Sequence, residues 1–313
     1  MGAYDVNFLG RYVEVGAQYE NLGGSSSGVV WFRDPRFLGK RIRLGIDLWS
    51  VMRNRMLYAN DRSLIGGYTL QRNMVNLFGD KEWTRYFKTG LSLARNWDKL
   101  SDEKLSDQEK QQNSANAFNV NSNEQTLIIK PYFEFGRLNY ENYLVSGYLT
   151  ELKVGMTSTR LLSDRSFTSV TLDNRAFWRL PSSSNLGLKL SFGHTNTDSL
   201  QHLFYLGGLE NVRGYLDAQY RGKSFVQANA EFRIPSVERN WFVLQHVVFV
   251  DSGRVGQELG DLVSGRADSL SSLGAGVRLI SPKIYRLNIR LDYAKSFGLG
   301  GGQGLSFGLQ QFY

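Results

Sequence analysis

An arginine and an aspartate on either side of a predicted strand are the residues best suited to form a buried ion pair. They lie in the segments Val212-Arg213-Gly214-Tyr215 and Phe249-Val250-Asp251-Ser252-Gly253. A planar guanidinium binds a carboxylate with two parallel hydrogen bonds, and burying it is costly unless it is paired. Gly214 would let the chain turn tightly beside the arginine. We therefore predict an internal pair between Arg213 and Asp251; the alternative is an ordinary solvated arginine in a loop.

Other residue types that often carry chemistry are absent or poorly placed. The chain has no cysteine, which excludes disulfides, thiolate metal sites and a cysteine nucleophile. The segment around His194 loosely resembles barrel phospholipases, but Asn196 occupies the position where the nucleophilic serine is needed. His202 and His246 have no partner at ligand spacing for a metal. We therefore predict no catalytic residue, no metal or other cofactor, and a protein that is not an enzyme.

Charge and hydropathy limit the class of protein. The formal net charge is +8 and the mean hydropathy is -0.32. Basic residues are spread along the chain, which favours a polar interior and basic loops; the alternative is attraction to anionic lipid head groups or lipopolysaccharide phosphates. We predict no nucleic-acid partner. No apolar run reaches the roughly 18 residues of a transmembrane helix, and residues 1–5 lack a secretory signal, so we expect a mature chain.

Apolar and polar residues alternate in several segments, as in a β-strand with two different faces. The clearest examples are Arg41–Leu48, Leu186–Gly193, Val226–Ile234 and Arg286–Asp292. A soluble sandwich also has one wet face per sheet. Here, however, the polar faces carry charges of both signs, and the strands approach the roughly 9–11 residues that cross a bilayer when tilted. The pattern therefore predicts an all-β protein, with a single antiparallel transmembrane barrel enclosing a polar lumen.

Short and long connections alternate between these strands, as is typical of bacterial barrels. Short turns are predicted around 37–40, 79–81, 138–142, 181–184, 235–240 and 281–284. Longer connections are predicted around 22–27, 60–63, 99–123, 160–165, 197–223, 254–269 and 298–303. The connections separate about 14 strands, and an even number suits closure. Residues 99–123 are mostly polar and predict a mobile external loop, and we expect no helix.

The motifs around Arg213 and Asp251, taken in order with the segments Gly274–Pro282 and Arg290–Ala294, resemble the BamA/TamA superfamily of outer-membrane barrels (the outer membrane protein 85 superfamily). The resemblance is fullest from about residue 166 onward. It implies one barrel domain over residues 1–313 with 16 strands. The sequence departs from the usual pattern of the superfamily in that we expect no periplasmic POTRA domain. The resemblance also implies that the loop carrying Val212, Arg213, Gly214 and Tyr215 folds into the lumen. There Arg213 would contact Asp251 on the strand that also carries Phe249 and Gly253.

The end of the chain resembles the C-terminal signal read by the barrel assembly machinery. Ser306 is the polar residue and Gly308 the glycine of the pattern, Tyr313 is the terminal aromatic residue, and Gln311 departs from it because an apolar residue is expected there. Gly308 should weaken strand pairing because it contributes no side chain. In the superfamily, the seam between the first and last strands is where clients or lipids are thought to act.

The resemblance implies an integral outer-membrane protein that moves protein, or lipid, into or across that membrane. Expected partners are membrane lipid and lipopolysaccharide, with unfolded outer-membrane proteins or a soluble periplasmic or surface protein as further candidates. A homodimer is also possible. Two alternatives stay open at this stage: a passive porin-like channel, and a membrane anchor for a passenger enzyme.

Overall fold

The chain folds into one large antiparallel sheet. The computed structural model describes residues 2–22, 25–116, 120–141, 143–281, 283, 287–298 and 300–309. Fifteen strands are hydrogen bonded in chain order, and two short strands form a separate pair. The predicted all-β class is confirmed. The described sheet has one strand more than the count of about 14, because the first residues form two strands that the sequence pattern had merged.

The strands and helices are bounded as follows. The strands are β1 (Gly2–Phe8), β2 (Val13–Leu22), β3 (Ser25–Asp34), β4 (Ile42–Tyr58), β5 (Leu64–Thr84), β6 (Phe87–Ser101), β7 (Ser122–Glu141), β8 (Leu144–Thr157), β9 (Phe167–Leu180), β10 (Ser184–Thr195), β11 (Phe204–Leu206), β12 (Tyr220–Gly222), β13 (Ser224–Glu238), β14 (Val243–Gly256), β15 (Asp268–Ile280), β16 (Asn288–Phe297) and β17 (Gln303–Leu309). The helices are α1 (Asp107–Ala115) and α2 (Asp261–Ser264), with 3-10 turns at Phe37–Gly39 and Leu200–His202. Neither α-helix in the described part of the chain has the length or apolar character to cross a membrane.

Alternation along the strands separates a buried polar face from an exposed apolar face. In β13, Glu231 and Arg233 are buried, whereas Ile234 on the opposite face is 43% exposed. In β16, Asp292 is buried and Leu291 is exposed. Apolar side chains stay exposed because period-2 alternation places them together on the face directed away from the polar interior.

The chain divides into two compact units. The first comprises residues 1–57, 64–135 and 152–170, and the second comprises residues 58–63, 136–151 and 171–313. In the first unit, Asp80 accepts hydrogen bonds from Arg43 (2.8 and 2.6 Å) and Tyr132 (2.7 Å). The turn predicted around 79–81 is therefore wrong. These bonds hold Asp80 inside β5, which continues to Thr84.

The polar segment between β6 and β7 contains helix α1, which corrects the expectation that the chain has no helix. Ser106 caps α1, and its hydroxyl and the Glu109 side chain form a reciprocal capping box. Asn113 fixes the helix on β5, because its amide both donates to the carbonyl and accepts from the N–H of Gly67, each at 2.9 Å. The helix lacks an apolar face, so its cap and this amide contact take the place of hydrophobic periodicity.

Candidate functional site

A long loop between β10 and β13 enters the interior of the second unit. Its base is the β11–β12 hairpin, in which Leu206 pairs with Tyr220. Val212 and Tyr215 beyond the hairpin pack with Leu206 and Tyr220 in one buried cluster. Burial, followed by the nearby Tyr215 and Asp268, raises the pKa of Tyr220 to about 12, so its hydroxyl stays protonated at neutral pH. The loop is held by packing on both sides of Arg213.

Arg213 and Asp251 form a buried ion pair with a fork-like geometry. Nε of Arg213 donates to one carboxylate oxygen of Asp251 at 2.7 Å, and Nη2 donates to the other at 2.8 Å. The backbone N–H of Arg213 adds a third bond at 3.1 Å. Both side chains are completely buried. Because water is excluded, no water molecule could bind either ion if its partner were removed.

Two further carboxylates meet the same guanidinium. Nη1 of Arg213 lies 2.5 Å from Glu231 on β13 and 3.4 Å from Asp292 on β16. Glu231 is also bound by Arg233 at 2.8 Å, and Asp292 by Arg278. We call Arg213, Glu231, Asp251 and Asp292 the lock. Sequence reasoning had placed Glu231 and Asp292 only on polar strand faces, and that alternation was the signal that could have identified them.

The remaining motif residues surround the lock. The ring of Phe249 lies under the guanidinium, with Cζ of Arg213 3.3 Å from its centroid, an arrangement favourable for a cation over an aromatic face. Gly214 has φ +87°, and its carbonyl accepts a 3.0 Å bond from Ser296. The Tyr215 hydroxyl donates to the backbone carbonyl of Phe297 on β16. Gly253 lies beside Leu206 and Val212, where a Cβ would approach within 3.3 Å of each. The two motifs therefore meet at one place.

The last strand also contacts the loop. Ser306 pairs with Asp292 in the sheet, and Gly308 pairs with Arg290. A Cβ on Gly308 would lie 2.7 Å from Leu209 and 2.9 Å from Nε of Arg290. Arg290 in turn donates to the carbonyl of Leu209 at 2.9 Å. Gly308 therefore leaves room for the loop, a role that sequence reasoning missed. Tyr313 lies outside the described residues.

The histidine that suggested a phospholipase lies opposite a serine from another strand. Nδ1 of His194 is 2.8 Å from Oγ of Ser224, across the β10–β13 pair. Ser224 is fully buried, so its hydroxyl is closed to a substrate. Among the described residues, no cluster of three or more metal-ligating side chains occurs. The lock itself joins three strands and a loop by charge, an arrangement suited to positioning rather than to bond chemistry.

The fifteen-stranded antiparallel sheet has a buried polar face and an exposed apolar face, and an ion-paired loop packs against the polar face. These features are those of the class of outer-membrane barrels. The Omp85 superfamily domain matches residues 7–312, and the chain belongs to that superfamily. It is therefore an integral outer-membrane β-barrel of a superfamily associated with protein insertion and translocation. A comparison with curated proteins gives no match.

Solved structures with this fold include BamA and CdiB. A BamA from Haemophilus ducreyi lacking POTRA domains 1-3 matches with TM-score 0.72 and 16% identity over 98% of this chain. CdiB from Acinetobacter baumannii gives 0.63 and 15% over 99%, and CdiB from Escherichia coli gives 0.67 and 13% over 98%. The present chain spans 65%, 56% and 57% of those three chains. At these identities the likeness shows the fold.

Proposed function

We propose that this protein, as a single barrel domain over residues 1–313, helps unfolded outer-membrane proteins to insert into the membrane. The main support for the proposal is that the loop held by the lock contacts the last strand of the sheet. Leu209 of the loop lies beside Gly308 of β17, and Arg290 binds the Leu209 carbonyl at 2.9 Å. The state of the loop is thus connected to the strand on which a client would act.

The exposure of β17 supports its role as a client-binding edge. Its outward residues Leu305, Phe307 and Leu309 are 62% to 67% exposed, whereas Leu273, Leu279, Leu291 and Tyr293 of the neighbouring strands are 39% to 54% exposed. In the described residues β17 has one strand partner, β16. A strand edge offers N–H and C=O groups to an incoming strand, and in lipid each unsatisfied group costs several kcal/mol. A client strand that pairs with β17 would satisfy those groups.

The test uses purified barrel in liposomes and a urea-unfolded outer-membrane barrel of known sequence as client. A photoreactive phenylalanine analogue replaces Phe307 on β17. The matched control places it at Phe133, which is also outward and 43% exposed but lies on β7, between two strand partners. We expect faster client folding than in empty liposomes, and client crosslinks from position 307 in excess of those from position 133.

Client folding that is no faster than in empty liposomes would refute insertion. Equal crosslinking at the two positions would refute β17 as the strand that binds the client. A large, steady ion current through the intact protein would instead support the porin-like channel. Because the lock is positional, the proposal requires no catalytic residue. Lipopolysaccharide, a soluble partner and a homodimer remain secondary proposals, and their check is co-purification in mild detergent.

A further inference from the structure

The outer face of the first unit contains a concave apolar surface. Phe32 of β3 pairs with Ile46 of β4, and Leu77 of β5 pairs with Leu93 of β6. These four residues line a cavity of about 1060 Å³. The polar side chains of the same strands, such as Arg33 and its 3.1 Å partner Asp47, lie on the opposite face. The cavity therefore opens toward lipid.

Gly79 and the β3–β4 turn both line this cavity, which we call the outer groove. Gly79 lies in the next row of the wall, where a Cβ would be 2.8 Å from Leu44. The β3–β4 turn bends through Leu38 (φ +54°) and Gly39 (φ +72°) and lines the same space. Phe37 and Leu38 on this turn are 37% and 77% exposed. An apolar hollow of this volume suits a flexible hydrocarbon chain.

The end of the groove near the turns is basic. Arg11 from the β1–β2 turn and Arg36 from the β3–β4 turn both line it, and both are exposed. Asp34 is the acidic residue of the groove, and one of its oxygens accepts the backbone N–H of Arg36 at 2.9 Å. Within the described ranges, neither guanidinium forms an ion pair. Lys40 extends the positive charge along the same turn and lines an adjoining cavity of about 560 Å³.

The position of these basic residues indicates which leaflet of the membrane contacts the end of the groove. The β1–β2 and β3–β4 turns lie at the edge of the sheet that carries the short connections, while residues 102–121 and 196–223 lie at the other edge. Short turns of outer-membrane barrels lie on the periplasmic side. Guanidinium groups at that level face phospholipid phosphates and bind them with paired hydrogen bonds. A single amphipathic ligand would place its hydrocarbon chain in the groove and its phosphate at the basic end.

We propose that the outer groove binds one anionic glycerophospholipid of the periplasmic leaflet, with its phosphate between Arg11 and Arg36 and an acyl chain along Phe32, Leu44 and Gly79. Net negative charge is favoured because the cations at the turn end outnumber Asp34. A bound lipid at this edge would order the two turns that hold it. The proposal concerns lipid binding by the wall and does not depend on client insertion.

The test is native mass spectrometry of the full chain after incubation in detergent with phosphatidylglycerol or phosphatidylcholine. The variant Arg11→Gln/Arg36→Gln removes the charges, and Gly79→Leu fills the groove. Arg85→Gln is the matched control because Arg85 is exposed on the β5–β6 turn at the same edge and lines neither cavity. Heat-modifiable gel mobility checks that each variant is folded, without any client.

We expect the wild-type protein and Arg85→Gln to retain one phosphatidylglycerol in preference to phosphatidylcholine. The double arginine variant should retain roughly tenfold less, since basic groups near a membrane surface each contribute several-fold to anionic lipid binding. Gly79→Leu should lose both lipids. Equal loss in Arg85→Gln would overturn the site in favour of general charge attraction. Lipopolysaccharide that displaces phosphatidylglycerol through the same two arginines would overturn the leaflet and the ligand.

Discussion

Removal of either partner from the Arg213–Asp251 pair should destabilise the barrel more than the pair itself stabilises it. In Arg213→Ala, Asp251 keeps one side-chain donor, the 2.9 Å amide of Asn229. In Asp251→Ala, Arg213 keeps Glu231 at 2.5 Å and Asp292 at 3.4 Å. Because every one of these ions is buried, breaking the pair from either side should cost about 3–5 kcal/mol.

The double variant Arg213→Ala/Asp251→Ala removes both charges together. It should cost about 2–3 kcal/mol less than the sum of the single losses, the coupling expected for a buried charge pair in direct contact. Free energies of unfolding would be measured in liposomes by urea titration, with heat-modifiable gel mobility reporting the folded fraction. The conservative Arg213→Lys should fall between wild type and alanine, because an ammonium lacks the planar fork that binds both oxygens.

A second cycle, between Arg213 and Asp292, provides the internal control. Asp292 lies 3.4 Å from Arg213 and retains Arg278 as a close partner when Arg213 is lost. Its coupling to Arg213 should therefore be smaller than that of Asp251. Additive losses in the Arg213–Asp251 cycle, or equal coupling in both cycles, would refute the reasoning that Asp251 is the main partner of the loop.

The other predictions concern the wall, the loop and the helix. Leu291→Arg should slow folding into liposomes, at a cost of about 2–4 kcal/mol near mid-membrane, whereas Leu291→Ala should fold normally; equal folding of the two would contradict a lipid-facing β16. Deletion of residues 211–218 should enlarge the small, flickering single-channel currents expected of the intact protein, and unchanged currents would mean that the loop does not obstruct the lumen. Asn113→Ala should release α1 from Gly67 and speed tryptic cleavage at Lys104 and Lys110, with Ser114→Ala as the exposed control; equal cleavage of both variants would show that the amide does not hold the helix.

Sequence alone identified the all-β class and the two faces of the strands, because alternation is a local property of an extended chain. The segments around Arg213 and Asp251 were also visible in sequence, since each motif is short and contiguous. That the two segments meet in space was an expectation, because a sequence separation of 38 residues fixes no distance. The capping box from Ser106 to Glu109 was equally local and could have revealed α1.

Only the tertiary structure decided which charges share the lock. Glu231 and Asp292 lie on β13 and β16, on either side of the strand pair β14–β15, and they meet one guanidinium because the loop carries Arg213 between them. Alternation gives the face of a residue but not its height on the sheet, which depends on strand register and on the path of the loop. Gly79 is a second residue whose position could not be predicted from the sequence pattern. Its sequence neighbours suggested a turn, whereas Gly79 lies within β5, where Asp80 is hydrogen bonded to Arg43 and Leu44 lies close to the position of a Gly79 Cβ.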